Sequence, residues 1–215
     1  MGNIITAIVQ QKHNPQRVNI YLDGAFAFPL AKIVAAWLKV GQTLTTEKIT
    51  QLRGDDEIEA ATQRAINFIS YRPRSTAEVE QNLRKHETPD QIIPLVLEKL
   101  KAGHLLDDTD FAQRWVENRS DFRPRGSLAL RVEMKRKGLP EAIIEEILQG
   151  LDEPALARAA AESKLRQLQG LDWNKFRSKL SAFLSRRGFG YEVVADTVRE
   201  AWQTTHAKEA RPEMR

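Results

Sequence analysis

The chain is predicted to be mainly α: three tandem three-helix repeats of about 50 residues, preceded by a small N-terminal segment that contains a β-hairpin. Three observations predict this. The first is an internal echo. Tyr71-Arg72-Pro73-Arg74-Ser75 recurs as Phe122-Arg123-Pro124-Arg125-Gly126, 51 positions later. Ile92-Ile93 recurs as Ile143-Ile144 and again as Val193-Val194, and Lys137-Gly138 recurs as Arg187-Gly188. A fixed period of this size means stacked copies of one supersecondary unit, an architecture commonly used for binding. The second is β-like patterning confined to residues 4–30. The third is regular punctuation by glycine, proline and capping residues beyond residue 57, at spacings that fit helices.

In the leading segment, Ile4-Ile5-Thr6-Ala7-Ile8-Val9 is a β-branched run and Val18-Asn19-Ile20-Tyr21-Leu22 alternates apolar and polar positions. Asp23-Gly24 separates that strand from Ala25-Phe26-Ala27-Phe28, a strong hairpin signal. Residues 31–53 read as two short helices around Gly41, with Thr45 or Thr46 as a cap, and Gly54-Asp55-Asp56 reads as the boundary to the repeats. The expected divisions are 1–55, 56–106, 107–151, 152–205 and a frayed tail at 206–215.

Within the repeats, helices are expected at 57–70, 75–86 and 89–102, then 108–120, 126–137 and 140–150, then 153–169, 172–187 and 190–205. Ser75 followed by Glu78 has the form of a capping box. Gly103, Gly138, Gly170 and Gly188 sit at helix stops, and Pro140 at a helix start. Phe176, Leu180, Phe183 and Leu184 follow helical spacing and are expected to face the core, as are Trp115, Phe122 and Trp173.

Composition excludes several classes. With no cysteine, the chain has neither disulfides nor thiolate metal sites, which fits a reducing cytoplasm. No apolar run approaches the ~18 residues of a membrane span. Gly188-Phe189-Gly190 lacks the third glycine of a dinucleotide loop, and no Walker loop is present. His13, His86, His104 and His206 are scattered, so neither a metal nor another cofactor is expected. Asp107-Asp108-Thr109-Asp110 lacks the glycine and distal glutamate of a calcium loop and reads as a helix cap.

Charge is more informative. The net charge is only +4, but it is unevenly placed. Seven basic residues lie between Arg119 and Lys137, including Arg123, Arg125, Arg131, Lys135 and Arg136, against Asp121 and Glu133. Five lie between Lys175 and Arg187, with no acid among them. Lys175, Lys179 and Arg186 fall within about 40° of one another around an ideal helix, opposite Leu184. Arg72 and Arg74 open the corresponding run of the first repeat. The third helices carry Glu141, Glu145, Glu146, Glu192, Asp196 and Glu200. Stacked repeats would align the basic helices into a stripe with an acidic back. A solvated charged face is the competing reading for any single position.

Arg64-Ala65-Ile66-Asn67-Phe68-Ile69-Ser70-Tyr71-Arg72-Pro73-Arg74-Ser75 resembles the first repeat of the bacterial RecX family of regulatory proteins. Leu105-Leu106-Asp107-Asp108 through Arg119 is likewise similar to the opening of that repeat, and Phe122-Arg123-Pro124-Arg125-Gly126 with Leu130-Arg131 and Lys137-Gly138 resembles the family's central repeat. Val18 through Gly24 is similar to the N-terminal β extension of many members. The resemblance spans nearly all of residues 4–205, with two departures. Glu87 stands where the later repeats have Gly138 and Gly188, and the third repeat lacks the Arg-Pro-Arg turn. The resemblance implies a non-enzymatic, cytoplasmic, monomeric modulator of the RecA recombinase. Such a protein lodges in the groove of the RecA nucleoprotein filament, inhibits its ATP hydrolysis and strand exchange, and binds single- and double-stranded DNA weakly. Arg72, Arg74, Arg119, Arg123, Arg125, Arg131, Lys135, Arg136, Lys175, Lys179 and Arg186 are the candidate RecA- and DNA-contacting residues. The alternative is a stand-alone, sequence-tolerant DNA-binding helical repeat protein.

Overall fold

A computed structural model describes residues 3–209. Strands β1 (Asn3–Gln10), β2 (Arg17–Leu22), β3 (Ala25–Ala31) and β4 (Thr43–Leu44) form an antiparallel sheet in the order β3-β2-β1-β4. The hairpin falls where Asp23-Gly24 places it, with φ of 52° and 87° at the two residues, the paired left-handed turn that matches strand twist. Ile5, Ile20, Leu30 and Leu44 are fully buried on one face of the sheet and pack with Phe28 and Leu52.

Residues 32–37 do not form the first expected short helix; they make successive turns. The Gly41 N–H donates to Ile5 O at 2.8 Å and the Ile5 N–H to Gln42 O at 2.9 Å, so β1 pulls this segment back before a helix can propagate. The second expected helix is the start of one long helix, α1 (Thr46–Ser70), capped by the Thr45 side chain on the Lys48 N–H. It runs unbroken through Gly54-Asp55-Asp56. Asp56 ties it to the sheet, accepting from the Ala31 N–H at 2.6 Å and from Arg17 at 2.7 Å.

The remaining helices are α2 (Thr76–Lys85), α3 (Ile92–Ala102), α4 (Asp108–Phe122), α5 (Ser127–Arg136), α6 (Glu141–Gln149), α7 (Glu153–Leu165), α8 (Trp173–Arg186) and α9 (Tyr191–Glu209). Helix α9 continues into the stretch expected to fray, because no glycine or proline interrupts it before Pro212; residues 210–215 lie outside the described residues. Each repeat has its own core: Ala65, Val79, Leu83 and Val96 in the first; Ala112, Leu130, Met134 and Ile144 in the second; Phe176, Leu180, Leu184 and Val198 in the third.

Two compact units emerge: Met1–Arg74 with Glu78–Leu106, and Ser75–Ala77 with Asp107–Arg215. In the second unit, the end of one middle helix docks on the start of another, twice in the same way. Gly188 follows α8 with φ of 85°; the Leu128 N–H donates to its carbonyl at 3.2 Å and the Gly126 N–H to Arg187 O at 3.0 Å. A Cβ on Gly188 would lie 2.4 Å from the Ala129 N, so only glycine permits the approach. Likewise Gly138, φ 73°, would put a Cβ 2.3 Å from the Ala77 Cβ, while the Ser75 hydroxyl donates to Lys137 O at 2.6 Å. Acids at the starts of α4 and α7 complete the joints. Asp108 accepts from the Thr76 N–H at 2.8 Å, and Glu153 accepts from the Ser127 N–H and hydroxyl, both at 3.0 Å. Glu87 also adopts a positive φ, 57°, but it is exposed.

Candidate nucleic-acid interface

The two Arg-Pro-Arg turns leave one helix and enter the next, with proline suited to a linker whose N–H no helix needs. Each presents its residues differently. The leading aromatic points outward: Tyr71 is 85% exposed and Phe122 is 78% exposed. Phe122 therefore does not join the core as expected, because α4 ends at that residue and its ring has passed beyond the repeat's apolar face. Trp115, Trp173 and Phe183 pack partly buried, and Phe176 is buried.

The first arginine of each turn is exposed. Arg72 reaches Glu78 at 3.0 Å, whereas Arg123 has no carboxylate partner among the described residues. The second arginine turns inward. Arg74 lies over the Phe68 ring at 3.9 Å, and burial, then the neighbouring Arg72, push its pKa down against the opposing pull of Glu78. Arg125 binds Glu133 at 2.7 Å. Glu133 also takes Arg119 at 2.8 Å and the Trp115 Nε1–H at 2.9 Å. One largely buried carboxylate on α5 thus organises two cations and an indole, and Arg119 further stacks on Trp115 at 4.6 Å. Arg187 sits over Phe183 at 4.9 Å and donates to Pro124 O at 3.2 Å. Its pKa is lowered by burial first, then by Arg125 and Arg123.

In the second repeat the acidic third helix does not form a separate back. Arg131 is paired with Glu141 and lies 3.7 Å from Glu145, and Lys135 reaches Glu141 at 2.9 Å. Opposite charges on adjacent helices of one repeat are within side-chain reach, which the helical-face argument left out. The Glu141 pKa is accordingly lowered, chiefly by its hydrogen bond from Lys135. Arg136, Lys179 and Arg186 are exposed and have no ion-pair partner among the described residues. Lys175 lies 3.2 Å from Asp172, the residue whose side chain caps α8.

The eleven candidates thus divide by environment. Arg123, Arg136, Lys179 and Arg186 are uncommitted, whereas Arg72, Arg119, Arg125, Arg131, Lys135 and Lys175 hold carboxylates and Arg74 holds a ring. Sequence reasoning missed Glu133. Its signal was present: Glu133 stands 51 positions after Asn82, a charged residue replacing a neutral one at the same point of the repeat. Asp107 accepts from the Thr109 and Asp110 N–H groups, as capping predicts. Among the described residues no group of three or more metal-ligating side chains is gathered, and no helix is long and apolar enough to cross a membrane.

Four family descriptions match the chain in order: regulatory protein RecX N-terminal domain at 3–45, and RecX first, second and third three-helix domains at 61–100, 107–148 and 152–198. The chain is 32% identical to the regulatory protein RecX of Bacillus licheniformis over 201 residues, 91% of this chain and 76% of that protein. It is 31% identical to that of Clostridium botulinum strain Alaska E43, covering 92% of this chain and 95% of the other. A crystal structure of regulatory protein RecX superposes with a TM-score of 0.78 at 26% identity, over 92% of this chain and 99% of that one. A second, from Lactobacillus salivarius, shares the fold with a TM-score of 0.63 at 23% identity, over 68% of this chain and 97% of that one.

Proposed function

The chain belongs to the RecX family of regulatory proteins, and on that premise we propose that it is a non-enzymatic modulator of the RecA recombinase. It binds as a monomer in the groove of the RecA–DNA filament in the cytoplasm and suppresses ATP hydrolysis and strand exchange. The observation that carries this reading is the ordered match to all four family domains along the chain.

The candidate surface supports it. Arg123, Arg136, Lys179 and Arg186 present uncommitted charge to solvent on the second and third repeats. The pairs of Arg131 and Lys135 with Glu141 lie at the solvent-exposed surface, where ion pairs are weak, so a phosphate can displace the carboxylate at little cost. The exposed rings of Tyr71 and Phe122 beside arginines suit an unpaired base next to a phosphate. Sequence-specific readout is not part of the proposal, because no helix start carries a set of Asn, Gln and Arg.

The test is binding to a labelled single-stranded oligonucleotide with and without RecA and a nucleotide, alongside strand-exchange assays. A sharp gain in affinity on filaments, with dose-dependent loss of strand exchange, is expected. Equal affinity for naked and RecA-coated DNA with no effect on exchange would instead favour a stand-alone DNA-binding protein.

A further inference from the structure

The repeats carry the same slot with different occupants. In the second repeat, the inward arginine of the turn, Arg125, meets Glu133 at 2.7 Å. In the first repeat the corresponding pair, again offset by 51 positions, is Arg74 and Asn82. The apolar neighbours Val79 and Leu83 of the first repeat and Leu130 and Met134 of the second are all fully buried, so the two slots are structurally equivalent. Replacing the carboxylate with an amide leaves Arg74 with no ion-pair partner among the described residues, since the nearby Glu78 carboxylate is held by Arg72 at 3.0 Å. The Arg74 Nε is buried without a hydrogen bond, as is the Arg125 Nε of the second repeat, and the unbonded Asn82 Oδ1 is what sets the first slot apart. Arg74 and Asn82 line one open cavity of about 570 Å³, which Gln81, Arg84, Lys85 and the Arg72-paired Glu78 also border. Arg84 is already engaged by Glu80 at 2.7 Å, but Lys85 is exposed with no acidic partner among the described residues. The Phe68 ring, 3.9 Å from the guanidinium carbon, braces Arg74.

A guanidinium held in place with no carboxylate hydrogen-bonded to it can donate to an external anion. We propose that the Arg74–Asn82 slot of the first repeat binds a backbone phosphodiester of single-stranded nucleic acid, and that Glu133 closes the equivalent slot of the second repeat with an internal carboxylate. A nucleic-acid phosphate is favoured over a protein carboxylate by the ring of Tyr71, three residues before Arg74, which is 85% exposed and gives a base a face to stack on. The Asn82 amide has no bond to break on turning its NH2 toward the anion. This inference rests on the DNA-contacting part of the proposed function and adds to it a defined subsite.

The test copies the second repeat into the first. Asn82→Glu supplies Arg74 with a carboxylate from within. Its control is Gln91→Glu, which adds the same charge at an exposed position of the same repeat that does not line the cavity. Binding of a fluorescent oligo(dT) is measured across a salt titration, together with thermal unfolding. N82E is expected to bind about tenfold more weakly at low salt, with the slope of log K against log salt shallower by about 0.7, the change for one fewer phosphate neutralised on a single strand. Its Tm should rise by about 2–4 °C, which a misfolded variant cannot mimic. Q91E should bind within about twofold of the parent. Equal losses in N82E and Q91E would mean that only net charge matters and would overturn the slot. A parent that binds no oligo(dT) even at low salt would overturn both the slot and the DNA-contacting part of the proposed function. Loss confined to RecA filaments, with naked DNA bound normally, would assign the slot to a protein carboxylate and overturn the phosphodiester.

Discussion

Replacing Gly188 with alanine should cost far more than the same change at Gly170, although both glycines have left-handed backbones, φ 85° and 71°. At Gly170 nothing lies within 4 Å of an added Cβ, so the penalty is conformational, about 1 kcal/mol for alanine in that region. At Gly188 the Cβ would lie 2.4 Å from both the N and the Cβ of Ala129, and backbone cannot yield as a flexible side chain can. The joint must open, and with it go the Gly126 N–H bond to Arg187 O at 3.0 Å and the Leu128 N–H bond to Gly188 O at 3.2 Å. At about 1 kcal/mol each, these bring the cost to about 3 kcal/mol. Effects on the unfolded chain are the same for both substitutions and cancel in the comparison. Urea unfolding followed by the fluorescence of Trp173 and Trp202, which pack against each other in the third repeat at 5.3 Å, reports on the affected region. G188A should be about 2 kcal/mol less stable than G170A, the difference between those two costs. Equal midpoints with equal slopes would show that the glycine is there only for its backbone angle and that the close joint contributes nothing.

Glu87 holds the same left-handed geometry while exposed, so Glu87→Gly should stabilise the chain by about 0.5–1 kcal/mol in urea unfolding, the difference between relieved strain and added unfolded-state entropy. Glu133→Ala should destabilise by about 2 kcal/mol and shift or broaden Trp115 emission, since it strands Arg119, Arg125 and the indole N–H together; an unchanged midpoint would mean those bonds contribute nothing to the fold. Reversing Arg123, Arg136, Lys179 and Arg186 to Glu should leave helical circular dichroism intact but abolish salt-sensitive oligonucleotide binding; retained binding would reduce these cations to a solvated face. Asp172 caps α8, and its pKa is lowered chiefly by the Lys175 backbone N–H. A depressed carboxylate stabilises the fold above its ordinary value, and that contribution is lost as pH falls through the depressed folded value. Asp172→Asn should therefore flatten the acid limb of a pH–stability curve below about pH 4, and a curve identical to the parent's would refute the assignment.

Local rules made much of this protein legible in its sequence. The period of about 50 residues marked the repeats, because buried positions of stacked units must recur with the unit. Asp23-Gly24 specified its turn, and Asp107 its cap, because both depend on backbone geometry within a few residues. The continuous α1 was not legible, because Gly54 weakens a helix only modestly and Asp56 recoups that loss against Arg17 and the Ala31 N–H, partners far away in the chain. Phe122 and Trp115 look alike as aromatics near an amphipathic face, yet one lies at the helix end and is exposed while the other packs against Phe111 and under Arg119. The candidate site shows the same division. Composition and spacing located the basic residues. Which of them are spent on Glu133, Glu78 and Glu141, and which remain free, was decided only when separate helices came within the few ångströms over which a carboxylate can claim a guanidinium.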